Sequence, residues 1–545
     1  MKSAAATLRR RGTRATAILA AAAMSMALGA CASVPPTVTA SPVGTDATGT
    51  AASVGSVALF TPSDGITLSQ NTPLNKWAAL TKDIQQSLKD RAAQAGVPYD
   101  SSAVKVTASS DLAAQSQAVQ DYVVGRLSES SASSSPAAGA AGDVASTTLV
   151  VAPVTNPDAV TRQYGDYVRQ DLTWDDATSG SDGATASASA SASATASASS
   201  DDATREAGER LVSALRLAKD SGMHVVLVSG HVQGFTPDLF VQFGTAELIG
   251  RIQAEQLVRK LELDTTSKDN PKYIEVMIPF VATRKDGSAV DAAFVSEAFR
   301  GIWDVLGPYF ADGRAVSPSR YLSSASTADD WRAVVFDPSR TDGGRDEIIQ
   351  RLGMKDGGSH PRIDGVLAMN DAVAAKVVSA LDDLGYTGSS ADINPEITIS
   401  GIVGSLTGKV DVQRGKVPDP RVAPTESPDD SEGLHLPFIQ GTSDDVSWPI
   451  VTGYGAYVDT IPQIVNGKQW MTALGNRKDT ASALAEAVMT MNAGGDVTRL
   501  DGVAESDYAD GKVPTIAKDQ LAVSASNLKS MLIDTGYVTA ADAGL

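Results

Sequence analysis

One cysteine, Cys31, and four histidines, His224, His231, His360 and His435, stand in a chain of 545 residues that is only 5% aromatic. A single thiol excludes a disulfide framework, and the scattered histidines with no H-E-x-x-H pattern give no reason to expect a metal or other cofactor. The serine elbow G-x-S-x-G is missing, and Gly453-Tyr454-Gly455 is too short for a dinucleotide fingerprint. Acid pairs such as Asp329-Asp330 and Asp382-Asp383 read as solvated helix faces or caps rather than glycosidase carboxylates. No enzymatic activity is expected. Basic residues are also scarce: the net charge of −19 repels nucleic acid and anionic lipid, so a small neutral or cationic ligand suits the chain better than a phosphate polymer.

No apolar run reaches the length of a membrane-spanning helix. The run from Ala15 to Ala27 is short and alanine-rich, follows Arg9, Arg10, Arg11 and Arg14, and leads into Leu28-Gly29-Ala30-Cys31. This is the plan of a lipoprotein signal over 1–30, with a cationic start, an apolar centre and small residues before an acylated cysteine. An ordinary cleaved signal with an incidental cysteine is the alternative. An exported thiol without a partner is odd, whereas one consumed by diacylglycerol carries no redox liability. The expected location is therefore extracytoplasmic, with a lipid anchor at Cys31 in the cell membrane. Loss of 1–30 removes five cations and no acid, taking the net charge from −19 to −24.

Residues 31–53 are rich in Pro, Thr, Ser and Gly and read as a flexible stalk, because they hold too little apolar surface to offset the entropy of ordering. Stretches 128–146 and 176–203, the latter with SASASASATASASS, read as disordered or weakly helical surface insertions. A further insertion, 394–448, is rich in Pro and Asp. Its role is not legible in the sequence.

Between these interruptions, short apolar runs alternate with longer amphipathic ones. Strands are expected at 54–60, 104–108, 148–152, 224–229, 273–278, 365–368 and 450–452. Helices are expected at 75–95, 111–127, 246–261, 292–309, 371–384 and 480–492. Buried strands alternating with helices predict an α/β protein whose mainly parallel sheets are covered on both faces. Ligands in such sheets lie beyond the carboxyl ends of strands, which directs attention to the residues following each apolar run. These include His231, Tyr454 and above all Asn370-Asp371, in VLAMNDAVA, an amide and a carboxylate suited to bracketing hydroxyls. Asp371 equally suits the N-cap of the next helix. Trp77 suits stacking on a pyranose face, or a place in the core.

The order of these segments resembles the type I periplasmic binding proteins of sugar ABC transporters, in particular the xylose and multiple-sugar binders. The resemblance runs from about Val54 to Gly495, through NKWAALTKDIQQSLK, DLAAQSQAVQDYVV, TLVVAPVTNPDAV, LFVQFGTAELIGRIQAEQLV, FRGIWDVLGPYFADGR, IDGVLAMNDAVAAKVVSALDDLGY and WPIVTGYGAYVDTIPQIVNGKQW. It implies two lobes, a first over 54–243 and a second over 244–393, with 449–545 forming the hinge return and C-terminal elements. Asn370 and Asp371 match the family's sugar-binding Asn-Asp, and Trp77 an aromatic near the cleft. Other positions depart from the pattern. Gly230-His231 replaces Asp-Arg, Gln242-Phe243-Gly244-Thr245 replaces Ser-Phe-Asp-Asn, Gly453-Tyr454-Gly455-Ala456 replaces Gly-Gln-Asp-Ala, and the region around Ala293-Phe294 lacks Asn-Asn-Ala.

By this resemblance the chain binds a polar solute, expected to be a carbohydrate, between lobes that close on it, and delivers it to an ABC permease as a monomer. Trp77 and His231 are expected on the first lobe, Asn370 and Asp371 on the second, and Tyr454 near the hinge. The lost carboxylates and amides argue against a simple pentose or hexose, and predict a roomier, more aromatic cleft for a glycoside or oligosaccharide. The competing reading is a degenerate binder that serves an envelope sensor or an assembly partner.

Overall fold

The computed structural model describes residues 53–64, 72–132, 144–155, 157–174, 193–283, 287, 289–340, 342–353, 360–391, 447–509 and 511–545. The expected signal, the stalk, Cys31 and nearly all of the 394–448 insertion lie outside the described residues. Among the described residues no helix is long and apolar enough to cross a membrane.

The chain opens with β1 (Ser56–Pro62), α1 (Trp77–Ala95), β2 (Val104–Ser109), α2 (Leu112–Ala132), β3 (Thr147–Val151), α3 (Ser193–Asp220), β4 (His224–Val228) and β5 (Leu239–Gln242). These strands pair in parallel in the order β2-β1-β3-β4-β5. Leu59, Val150, Val226 and Leu239 stand side by side across four of them, all buried. A strand covered on both faces must be apolar at every position rather than at alternate ones, which is why SVALF and TTLVV read as continuous runs.

A second lobe follows: α4 (Ala246–Leu261), β6 (Lys272–Val276), β7 (Ile278–Pro279), α5 (Ala293–Ala311), β8 (Ala315–Val316), β9 (Val335–Phe336), α6 (Gly343–Arg351), β10 (Gly365–Leu367), α7 (Asp371–Asp383), β11 (Ile450–Tyr454), α8 (Ile461–Val465) and β12 (Met471–Leu474). Its parallel sheet repeats the first in its order, β8-β6-β10-β11-β12. The chain then returns to the first lobe with α9 (Arg477–Asn492), β13 (Val503–Tyr508) and β14 (Gly511–Ala517), and crosses again to β15 (Leu521–Ser524), which lies antiparallel on β12. Leu80, Ile84 and Leu88 of α1 and Leu484 and Val488 of α9 cover one face of the first sheet, and α2 and α3 cover the other. In the second lobe α4 and α5 cover one face, α6 and α7 the other. Two such sheets joined by three crossings, at 243–245, 475–476 and 518–520, form the two-lobed type I periplasmic-binding-protein fold.

Several elements differ from the sequence reading. Residues 193–203 are the first turns of α3, and 128–132 extend α2, because alanine and serine next to an amphipathic helix propagate it at little cost once it is nucleated. The remainder of those two insertions, up to Asp143 and Ala192, lies outside the described residues. The stretch KDQLAVSASNLKSMLIDTGYV forms β15 and a π-helical turn over Lys529–Ile533. Strands β5, β12 and β15 are four residues each, too short for periodicity to expose.

The excursion between β8 and β9 is tied down by a buried ion pair. Arg351 of α6 sends Nη1 to Glu275 of β6 at 3.4 Å and to the Val276 carbonyl at 2.6 Å, and Nη2 to the Val334 carbonyl at 2.9 Å. Glu275 also accepts from the Ser319 amide at 2.7 Å. Arg351→Ala is expected to lower the free energy of unfolding by about 3–5 kcal/mol, because it leaves a buried carboxylate without its cation. Urea unfolding measures this, and a loss below about 1 kcal/mol would place the pair outside the cooperative core.

Candidate functional site

The three crossings bring the two lobes together where the first sheet ends. At the first crossing Gly244 lies close to both other segments: a Cβ there would stand 2.7 Å from Gln520 Nε2 of the third crossing and 3.1 Å from the Tyr454 hydroxyl, so a larger residue requires these side chains to shift. On the first lobe, the chain before α1 reaches over as well. Leu74 N–H donates to the Gly455 carbonyl at 3.0 Å, and Asn75 Nδ2 donates to the Gly475 carbonyl at 3.0 Å.

Asn370 and Asp371 sit at the carboxyl end of β10, where Met369 takes a left-handed φ of 52° that turns the strand into α7. The helix cap is Asn370 rather than Asp371: its Oδ1 accepts from Val373 N–H at 3.0 Å, and its Nδ2 points across the cleft to Gln163 Oε1 at 3.0 Å. Asp371, 0% exposed, points into the second lobe. It accepts from Gln469 Nε2 at 2.7 Å, Thr472 Oγ1 at 2.8 Å and Tyr457 N–H at 3.0 Å. Gly453 makes room for it, since a Cβ there would lie 2.2 Å from Asp371 Oδ1. Burial pushes the Asp371 carboxyl up to about 6 despite these donors, because the lost hydration of the anion outweighs them.

The cleft is not roomy, contrary to the sequence expectation. Residues 157–172, between β3 and α3, run through it, with one 3₁₀ turn at Thr161–Tyr164. Val160, Tyr164 and Val168 are part of the hydrophobic core of the second lobe. Tyr164 packs on Phe294 and Tyr454 with ring centroids 4.8 and 6.3 Å away, and Tyr457 Oη donates to the Gln163 carbonyl at 2.7 Å. On the opposite side, Tyr167 packs edge-on against Trp77 at 5.1 Å and tilts against Phe243 at 4.6 Å. The carboxylate of Asp166 caps α1 through Trp77 N–H at 3.2 Å, and burial raises its proton affinity against the pull of Lys76.

Trp77 is therefore a core residue of the first lobe, 7% exposed, whose ring meets a tyrosine. His231 lies at the carboxyl end of the first sheet, against Tyr508 and Phe240. Its Nδ1 is 3.0 Å from Arg169 Nη2, and burial together with that guanidinium lowers its proton affinity, so the imidazole is an acceptor there. Tyr454 is buried among second-lobe side chains. Of the five side chains read as ligand-binding, Trp77, His231, Asn370 and Tyr454 each meet a residue of 157–172, and Asp371 does not. Gln163, Tyr164 and Tyr167 escape sequence reasoning because YGDYVRQDL has no periodicity. Two tyrosines beside a serine- and alanine-rich stretch are the only trace.

Several polar atoms in this region find no hydrogen-bond partner among the described residues: Asn75 Oδ1, Tyr164 Oη and both amide atoms of Gln520. A buried polar atom left this way costs about 1–3 kcal/mol, so the seam between the lobes holds hydrogen-bonding capacity that no described residue uses. No cluster of potential metal ligands occurs among the described residues.

No family model matches the chain. The multiple sugar-binding periplasmic protein SbpA of Azospirillum brasilense is 22% identical over 337 residues, 61% of this chain and 72% of that protein. Among solved structures, a solute-binding protein of an ABC transporter from Clostridium phytofermentans with bound β-D-glucose is 17% identical, covering 89% of this chain and 99% of that one at a TM-score of 0.45. A carbohydrate transporter solute-binding protein from Chloroflexus aurantiacus in complex with D-glucose is 15% identical, covering 89% and 97%, at a TM-score of 0.44.

The burial of Asp371 has a pH signature. Its folded pKa, about 6, lies above the unfolded value, so the folded state binds more protons between about pH 4 and 6. The stabilisation is complete below that window and is lost as the pH rises through 6. Relative to Asp371→Asn, the wild type is expected to lose on the order of 2–3 kcal/mol of stability between pH 4 and 7. Urea titrations of both proteins across that range check this; parallel curves would refute it.

Proposed function

We propose that this chain is an extracytoplasmic solute-binding protein of an ABC importer, which holds a sugar or sugar-like polar solute between its lobes and hands it to a permease. It is a binding protein and not an enzyme, as the Azospirillum brasilense relative is by name. The observation that carries the reading is Asn370. One end of its carboxamide caps α7, which orients it, and the other donates to Gln163 of the segment that runs through the cleft, so the group is held ready to donate to a polar molecule there. The unpartnered Asn75 Oδ1 and Gln520 amide supply further donors and acceptors in the same seam. Closure is favourable when a solute completes hydrogen bonds from both sides at once. An acidic protein with no helix of spanning length among its described residues, preceded by a cationic and apolar leader, fits an anchor at Cys31 and a location outside the cell membrane.

Two measurements test this. Calorimetric titration of the secreted fragment from Ala52 onwards with D-glucose, D-xylose, myo-inositol and phenyl β-D-glucoside is expected to show binding of at least one. Asn370→Ala should weaken that binding by about tenfold or more, the value of one or two hydrogen bonds. Silence towards every compound in both proteins would sink the reading. Separately, Cys31→Ser should move the full-length protein from the membrane fraction to the medium and abolish incorporation of labelled palmitate; unchanged fractionation would refute the anchor.

A further inference from the structure

The connection from β3 to α3 runs from residue 152 to 192, whereas such connections are ordinarily about two to six residues long. A long excursion that packs into a cleft has a use. Its described part, 157–174, is fastened to the first lobe at its far end. Leu172 bridges to Val232, with Leu172 N–H donating to the His231 carbonyl at 2.8 Å, and Trp174 N–H donates to Gln233 Oε1 at 2.8 Å. Asp158 accepts from Val160 N–H at 2.8 Å and Thr161 N–H at 3.1 Å, a local turn that opens the 3₁₀ segment. From that turn Gln163 and Tyr164 enter the second lobe.

The contacts these residues make are the ones a solute would make. The Gln163 carboxamide oxygen accepts from Asn370 Nδ2, as a solute hydroxyl would. The Tyr167 ring meets Trp77 and Phe243, where a pyranose face would stack. Tyr164 fills the aromatic space beside Phe294 and Tyr454, with its hydroxyl buried and lacking a hydrogen-bond partner among the described residues.

We propose that residues 157–172 are a built-in occupant of the cleft, so that a solute gains the second-lobe side chains by displacing Gln163 and Tyr164. The proposal rests on the solute-binding reading. Displacement leaves the strap attached to the first lobe through Leu172 and Trp174, and the contact given up is polar and aromatic, of the kind a glycoside replaces. A cleft closed by its own chain also keeps the lobes together with no solute present, through Leu74 N–H to Gly455 and Tyr457 Oη to Gln163. Apparent solute affinity then falls by the fraction of molecules in which the strap is undocked.

The test is hydrogen exchange on the full mature chain, wild type and Gln163→Ala/Tyr164→Ala, alongside titration with phenyl β-D-glucoside and D-glucose. In the wild type, amides 160–169 are expected to exchange about tenfold more slowly than free amides, the protection given by a strap docked nine-tenths of the time. In the double variant they and the Leu74 amide should exchange at least about tenfold faster, and any solute that binds should bind at least about tenfold more tightly, the ratio expected for a strap docked nine-tenths of the time. Free exchange of 160–169 in the wild type overturns the proposal, as does a double variant with unchanged exchange at Leu74. Weaker solute binding by the variant also overturns it, since the two side chains would then be walls of the solute pocket. If neither protein binds a solute, the solute-binding reading fails while exchange still decides whether the strap holds the lobes. Gln163→Asn/Tyr164→Phe, which keeps most of the packing, serves should the alanine variant not fold.

Discussion

The buried carboxylate of Asp371 organises the second lobe around the cleft. Its two oxygens gather Gln469 and Thr472 from around β12 and the Tyr457 amide from the turn after β11, so α7, β11 and β12 are tied at one point. That turn carries Tyr454 on one side and Tyr457 on the other, and both are aimed at residues 163–164. An anion withdrawn from water is tolerated only when donors surround it, and the close approach it requires explains the bare Cα at Gly453. Asp371 is therefore spent on architecture, and the neighbouring Asn370 is the residue of the pair that faces the other lobe.

The same exchange of roles recurs across the cleft. The Tyr454 hydroxyl stands where a side chain at 244 would begin, 3.1 Å from the position a Cβ there would take. Trp77 and Phe243 are covered by Tyr167, and His231 by Arg169 and Tyr508. Asn370 and Tyr454 likewise face Gln163 and Tyr164.

The lowered proton affinity of His231 and the raised ones of Asp166 and Asp371 share a first cause, burial away from water, to which Arg169 adds at His231. Glu275 follows the same rule within the second lobe, where Arg351 offsets part of the cost. The acidic surface leaves these interior groups to be set by their immediate neighbours, since surface charges more than about 10 Å away are largely screened.

The strand and helix alternation, the parallel sheets, the two lobes and the positions of Asn370, Asp371 and Tyr454 at strand ends were legible in the sequence. Continuous apolar runs such as SVALF and TTLVV arise only when both faces of a strand are covered, and amphipathic spacing such as that of α4 reports one covered face. Four-residue strands carried too little period to be seen, and the Ser/Ala stretch before α3 read as disordered or weakly helical because composition alone does not decide whether a helix is extended by its neighbour. Which member of Asn370-Asp371 caps the helix, and what faces Trp77, were decided only by tertiary structure. Both depend on contacts between residues as far apart as 163 and 370, and such pairing leaves no local pattern in the chain.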